Sequence, residues 1–189
     1  SNVARMRALS APEPVSVPTG LQAELRHYQR DGLDWLAFLH RNRLGGILAD
    51  DMGLGKTVQI LALCLHALEA NGAARFLVIA PTSVVENWHR EARHFAPELR
   101  VVTITETEKR RGTTLDEAVG EAQLVVTSYA LFRMEFDQYQ DFAWEMLLMD
   151  EAQFVKNRTS KIYQCVRRLD ANTKIAITGT PLENSLMDL

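Results

Sequence analysis

The stretch Leu48-Ala49-Asp50-Asp51-Met52-Gly53-Leu54-Gly55-Lys56-Thr57-Val58-Gln59-Ile60 decides how the rest of the chain is read. A short apolar run, Gly46 to Ala49, leads into it and has the composition of a buried strand. A glycine-containing loop follows. Lys56-Thr57 then heads a helical pattern that runs to Ala70 and stops at Asn71-Gly72. Strand, glycine loop and helix in that order suit a phosphate. Main-chain N–H groups converge on its oxygens, and the helix N-terminus adds partial positive charge. Lys56 would reach the β- and γ-phosphates of a nucleotide, and the Thr57 hydroxyl would ligate Mg2+. Asp50 occupies the first glycine's place in the strict GxxxxGK[ST] pattern, so the remaining GxGKT string holds the signal. Such a string arises by chance in roughly one chain in a few hundred of this length. Its position after a strand lowers that chance further.

Outward from this stretch, apolar runs alternate with helical patterns. Phe76–Ala80, Val101–Thr105, Leu124–Thr127, Met146–Met149 and Lys174–Thr178 read as strands. Before the loop, a helix begins near Leu25, with Tyr28, Gly32, Trp35, Leu36 and Leu39 on one face. Ser83 and Glu86 have capping-box spacing for a helix that Pro97 ends, and Thr114 with Glu117 caps a shorter one. Glu106–Gly112 reads as a charged, solvated connection. Ile162, Cys165, Val166 and Leu169 recur at helical spacing, and Thr180-Pro181-Leu182-Glu183 opens a last helix. This alternation predicts an α/β fold: a mostly parallel sheet with helices on both faces. Ligands of such sheets bind at the carboxyl ends of the strands.

Composition narrows the function classes. Of 189 residues, 47% are hydrophobic, enough for a real core. The net charge of −3 argues against coating nucleic acid through bulk charge, so any such contact is local. Cys64 and Cys165 form no CxxC pair and sit in helical apolar patterns, as buried small hydrophobes do. No apolar run reaches membrane-spanning length and no signal-peptide h-region is evident, so no membrane partner is expected. An intracellular protein is the expectation, cytoplasmic and nucleoid-associated in a bacterium or nuclear in a eukaryote.

Four further stretches bear chemistry. Asp150-Glu151 follows an apolar strand, where phosphoryl transfer needs one carboxylate for the metal and a group to orient water. Thr178-Gly179-Thr180 lies after the last strand, and Pro81-Thr82-Ser83 at another strand-to-helix junction, where free N–H groups suit a sugar–phosphate backbone. Gln29 lies on the first helix, and a Gln side chain can pair with adenine. Taken singly, each has an ordinary structural explanation: a solvated acidic turn, a helix cap, an exposed helical glutamine.

Together the stretches are specific. Leu25-Arg26-His27-Tyr28-Gln29, Asp50 to Thr57, Ala80-Pro81-Thr82-Ser83, Asp150-Glu151-Ala152-Gln153 and Thr178-Gly179-Thr180-Pro181-Leu182-Glu183-Asn184 stand in the order of superfamily-two helicase motifs. Their wording resembles the SWI/SNF-type branch, the ATP-driven double-stranded DNA translocases, and a bacterial member is expected. His27 stands where that family often has Pro, Asp51 where Glu is common, and Gln153 where His is more frequent. The resemblance implies a P-loop, RecA-like lobe that uses ATP and Mg2+. It implies that Gln29 and Arg26 recognise adenine, and that Asp50, Asp51, Met52, Gly53, Leu54, Gly55, Lys56 and Thr57 form the phosphate loop. Thr57 and Asp150 would hold Mg2+, and Glu151 would orient the attacking water. Gln153, Thr178, Gly179 and Thr180 would couple nucleotide state to motion. Pro81, Thr82, Ser83, Thr127, Ser128 and Tyr129 would lie along the DNA.

Residues 1–20, with Pro12, Pro14, Pro18 and Gly20, read as an arm or linker, Ser1-Asn2 being an expression remnant. Residues 21–189 read as the first of two such lobes. The second, expected on the same polypeptide, supplies an arginine finger worth about 10³–10⁵ in rate. Two other readings remain open: a lobe of an RNA or single-strand helicase, and a nucleotide-gated interaction module. If the 189 residues are one lobe of two, they should turn over ATP poorly alone. Robust steady-state phosphate release by this chain in isolation would contradict that.

Overall fold

The computed structural model describes residues 12–49, 55–155 and 157–179. The phosphate-loop residues Asp50 to Leu54, and the expected helix from Thr180, lie outside them. Six strands form one sheet in the order β1-β6-β5-β2-β4-β3. They are β1 (Gly46–Ala49), β2 (Phe76–Ala80), β3 (Val101–Ile104), β4 (Leu124–Ser128), β5 (Trp144–Met149) and β6 (Ala171–Thr178). Every adjacent pair is parallel. The helices are α1 (His27–Arg41), α2 (Lys56–Ala70), α3 (Thr82–Phe95), α4 (Glu108–Arg111), α5 (Leu115–Val119), α6 (Tyr129–Met134), α7 (Phe136–Tyr139) and α8 (Lys161–Arg168), with a 3-10 turn at Ala152–Val155.

The sheet is covered on both sides, and the strands divide their side chains accordingly. Phe76, Val78, Ala80, Met146 and Leu148 join one core with residues of α1, α2 and α3. Their neighbours Leu77, Ile79, Leu147 and Met149 join a second core with Phe132, Tyr139, Tyr163 and Val166. Strands buried on both faces read as continuous apolar runs, which is why β2, β4 and β5 stand out in the sequence.

Three local expectations differ from the structure. The exposed side of α1 holds Tyr28 and Trp35, 49% and 36% exposed, while Gln29, Leu33 and Leu36 are buried. The true inward stripe includes a polar residue, so an apolar-only search rotates the helix. Ser83 is not a cap: α3 begins at Thr82 after Pro81, without a side-chain cap. Within Glu106–Gly112, one helical turn forms at Glu108–Arg111. The Thr114 cap is present, its hydroxyl accepting the Glu117 N–H at 3.1 Å. Cys64 is fully buried and Cys165 half-buried, and both are free thiols. Among the described residues, no helix is long and apolar enough to cross a membrane.

Helix α1 is fastened at its far end. His40 Nε2 lies 2.7 Å from Glu145 Oε1 at the start of β5, and Asn172 Nδ2 donates to the other oxygen of Glu145 at 3.0 Å. At the sheet's centre, Leu148 of β5 is fully buried. Leu148→Ala should cost about 2–5 kcal/mol of stability, read as a lower urea midpoint at unchanged slope.

Candidate functional site

The carboxyl ends of β1, β6, β5 and β2 lie side by side, and the motif-bearing segments leave the sheet there. Ala49 pairs with Thr178, and Met149 pairs with Ala176 on one side and Ile79 on the other. The phosphate-loop helix, the acidic pair, the Thr178 stretch and Pro81–Ser83 therefore share one rim.

Gly55 precedes α2 in a left-handed conformation, φ +82°. A side chain there is strained, and glycine avoids that cost. A second constraint comes from α1. A Cβ on Gly55 would run into the Nε2 atom of Gln29. Gln29 is only 8% exposed, and its Oε1 accepts the Arg26 N–H at 2.8 Å. The structure thus brings Gln29 against Gly55; the Arg26 side chain is exposed. Gln59, one turn into α2, is also buried, and its Nε2 donates to the Gly55 carbonyl at 3.4 Å. Lys56 is 9% exposed at the head of α2, and Thr57 is half-buried beside it.

Asp150 is held on all its polar atoms. Its N–H donates to the Ile79 carbonyl at 2.8 Å, extending the β5–β2 ladder by one residue. Its carbonyl accepts the Tyr129 hydroxyl at 2.6 Å. Its Oδ2 accepts the Trp88 indole N–H at 2.7 Å, and its Oδ1 accepts the Glu151 N–H at 2.9 Å. Burial raises the Asp150 pKa from its ordinary value; the bonds from Trp88 and Glu151 N–H oppose this, the Glu151 charge adds to it, and the Lys56 charge opposes it. That influence puts the lysine and the carboxylate in one electrostatic neighbourhood. Burial, then the Asp150 and Glu151 charges, push the Tyr129 phenol well above its usual range, so it stays a donor.

Glu151 has φ +50°, in the left-handed region. A non-glycine residue there costs on the order of 1–3 kcal/mol and persists where its surroundings dictate it. Here the surroundings are explicit. Glu151 Oε2 accepts Gln153 Nε2 at 2.6 Å, and Gln153 Oε1 accepts the Thr178 hydroxyl at 3.1 Å. Three of the residues singled out in the sequence are thus in line: Thr178 to Gln153 to Glu151. Gly179 follows directly.

The candidate nucleic-acid residues separate into two groups. Thr82 and Ser83 are exposed and Pro81 is half-buried at the start of α3. Thr127 is fully enclosed, its hydroxyl given to the Ile104 carbonyl at 2.9 Å. Ser128 is buried and caps α6 by accepting the Leu131 N–H at 3.2 Å. Tyr129 is buried against Asp150. These three side chains are engaged within the fold, for a polar group on a buried strand end must find an internal partner.

Hard oxygen donors from Thr57 and Asp150, near a buried lysine, fit Mg2+. Trp88, Gln59 and the Tyr129 contact escape a sequence reading, because an aromatic at helical spacing looks like core, and Trp88 is indeed 2% exposed. A cleft of about 170 Å³ lined by Arg75, Glu145 and Asn172 lies at the opposite, amino-terminal ends of the strands, away from these groups.

A left-handed glycine at the head of the helix that follows β1, and an acidic pair after β5, two places along the same parallel sheet, define a P-loop, RecA-like α/β lobe. The SNF2-related domain family matches residues 28–189, and the chain belongs to that family. It is 38% identical over 188 residues to the putative ATP-dependent helicase/translocase YwqA of Bacillus subtilis, covering 97% of this chain and 20% of that protein. It is 37% identical over 181 residues to the helicase SWR1 of Saccharomyces cerevisiae, covering 93% of this chain and 12% of that protein. The chain therefore spans a fifth or less of these curated relatives. The SWI2/SNF2 ATPase core of Sulfolobus solfataricus in complex with dsDNA superposes with a TM-score of 0.81 at 37% identity, over 94% of this chain and 36% of that one. A second structure, of the Sulfolobus solfataricus SWI2/SNF2 ATPase core domain, gives a TM-score of 0.79 at 36% identity, over 94% of this chain and 36% of that one.

Gly55→Ala should combine backbone strain with a displaced Gln29. The left-handed cost of about 1–2 kcal/mol should appear as lost stability, read as a lower urea midpoint at unchanged slope for Gly55→Ala.

Proposed function

We propose that this chain is the first lobe of an ATP-driven double-stranded DNA translocase, and that it binds Mg–ATP at the rim formed by β1, β6 and β5. The observation that carries the reading is the hydrogen-bonded line Thr178–Gln153–Glu151 beside a firmly held Asp150. A solvated acidic turn has no need of such a line. A nucleotide switch does, since the residue facing the γ-phosphate must report to the strand next door.

In this reading, main-chain N–H groups of the loop, with Lys56, hold the β- and γ-phosphates, and Gln29 presents its amide to adenine. Thr57 and Asp150 hold the metal ion, which when bound neutralises charge on the phosphoryl oxygens. Glu151 orients the attacking water, and its strained backbone fixes where the carboxylate points. Gln153 couples Glu151 to Thr178, and Gly179 and Thr180 continue that path. The exposed Thr82 and Ser83, with Pro81, meet one DNA strand through hydroxyls and free N–H groups. Thr127, Ser128 and Tyr129 support that surface from behind. A second RecA-like lobe on the same polypeptide completes the catalytic site. Consistent with this, the chain covers only 36% of the SWI2/SNF2 core that it resembles.

The deciding experiment measures ATP hydrolysis by the full-length polypeptide with no nucleic acid, single-stranded RNA, single-stranded DNA and double-stranded DNA. Strong stimulation by the duplex alone is expected. Stimulation by single strands or RNA would reassign the substrate, and none at all would point to a nucleotide-gated interaction module. In the same assay, Lys56→Ala loses a charge-assisted hydrogen bond of roughly 1.5–3 kcal/mol, so ATP binding should weaken about ten- to a hundredfold. Unchanged affinity and turnover would remove Lys56 from the site.

A further inference from the structure

Asp150 is fixed by two aromatic donors whose helices both begin at the stretches singled out for nucleic-acid contact. Trp88 lies on α3, which starts at Thr82 after Pro81, and its indole N–H reaches Asp150 Oδ2 at 2.7 Å. Tyr129 opens α6, directly after Ser128, and its hydroxyl reaches the Asp150 carbonyl at 2.6 Å. Trp88 is 2% exposed and Tyr129 6% exposed, so neither bond competes with bulk water. An indole nitrogen only donates and does not titrate, so it suits a carboxylate that must stay charged. With the Glu151 N–H on Oδ1, each carboxylate oxygen keeps a lone pair while the carboxylate plane is fixed.

We infer that Trp88 is a positioning residue for Asp150, seconded by Tyr129, and that the pair links the start of α3 and α6 to the metal ligand. This rests on the reading of Asp150 as a ligand of Mg2+. A shift of α3 as its first turn meets a DNA backbone moves Trp88 against the carboxylate, so duplex binding and metal geometry are coupled through one hydrogen bond. Partners of metal ligands typically govern affinity or activity by 10–100-fold.

The test uses the full-length polypeptide and Trp88→Phe, which keeps an aromatic ring and removes the N–H. Mn2+ binding is followed by electron paramagnetic resonance with a non-hydrolysable ATP analogue. The variant should bind Mn2+ about tenfold more weakly and show a smaller rise in kcat on adding duplex. Its affinity for duplex without nucleotide should match that of the wild type, a split that a general loss of packing would not give. If Trp88→Phe does not fold, Tyr129→Phe reads the same link from the other helix, with an expected two- to tenfold weakening (about one neutral hydrogen bond). Wild-type Mn2+ affinity in the folded variant overturns the inference. Asp150→Asn separates the two levels. If it loses Mn2+ while Trp88→Phe does not, the link alone is wrong; if it binds Mn2+ normally, the metal-ligand reading falls and the link with it.

Discussion

The hydrogen bonding of Asp150 is the constraint on which the site depends. A carboxylate at the edge of a core must be compensated, or burial drives it neutral. Here the Trp88 and Glu151 N–H groups compensate the carboxylate, and the residue as a whole is held by three different elements. Strand β2 takes the N–H of Asp150, α6 serves its carbonyl, and α3 serves its side chain. None of these bonds is local in sequence except the one from Glu151. The last residue of β5's ladder is therefore as fixed as the sheet, although it lies on the rim. That rigidity lets the next residue, Glu151, be held in a left-handed conformation that it would not choose alone.

The parallel sheet makes this convergence possible. Every strand runs the same way, so every carboxyl end opens onto one rim, and chemistry scattered over the chain arrives there together. The strand order places β6 between β1 and β5. Thr178, late in the chain, thereby becomes the neighbour of both the phosphate loop's strand and the acidic pair. A polar side chain at the end of β6 reaches the acidic segment through Gln153, which accounts for a hydroxyl on an otherwise apolar strand end.

Much of this architecture is legible in the sequence, and what is not has physical causes. The strands and the helices at Lys56 and Lys161 follow from apolar periodicity and stop signals. The residues of the site are marked by their place after strands and by the order of the motifs. Apolar periodicity misplaces the inward face of α1 because Gln29 is buried, and burial of an amide depends on a loop glycine that only the fold brings near. Trp88 stays hidden because one atom of a core side chain is polar, and periodicity does not register single atoms. The resemblance places Thr127 and Ser128 along the DNA, and sequence does not show that their hydroxyls are engaged within the fold, with the Ile104 carbonyl and the Leu131 N–H.

Helix α1 lies outside the sheet's hydrogen bonding but is tied down at both ends. Its fifteen residues extend about 22 Å. One end places Gln29 on Gly55, and the other ties His40 to Glu145 beside Asn172. A rod pinned at two points cannot slide or roll without breaking one of them. The depth at which Gln29 sits over Gly55 is thus gauged from the amino-terminal end of the sheet, so a change at the start of β5 can shift Gln29 without touching either residue.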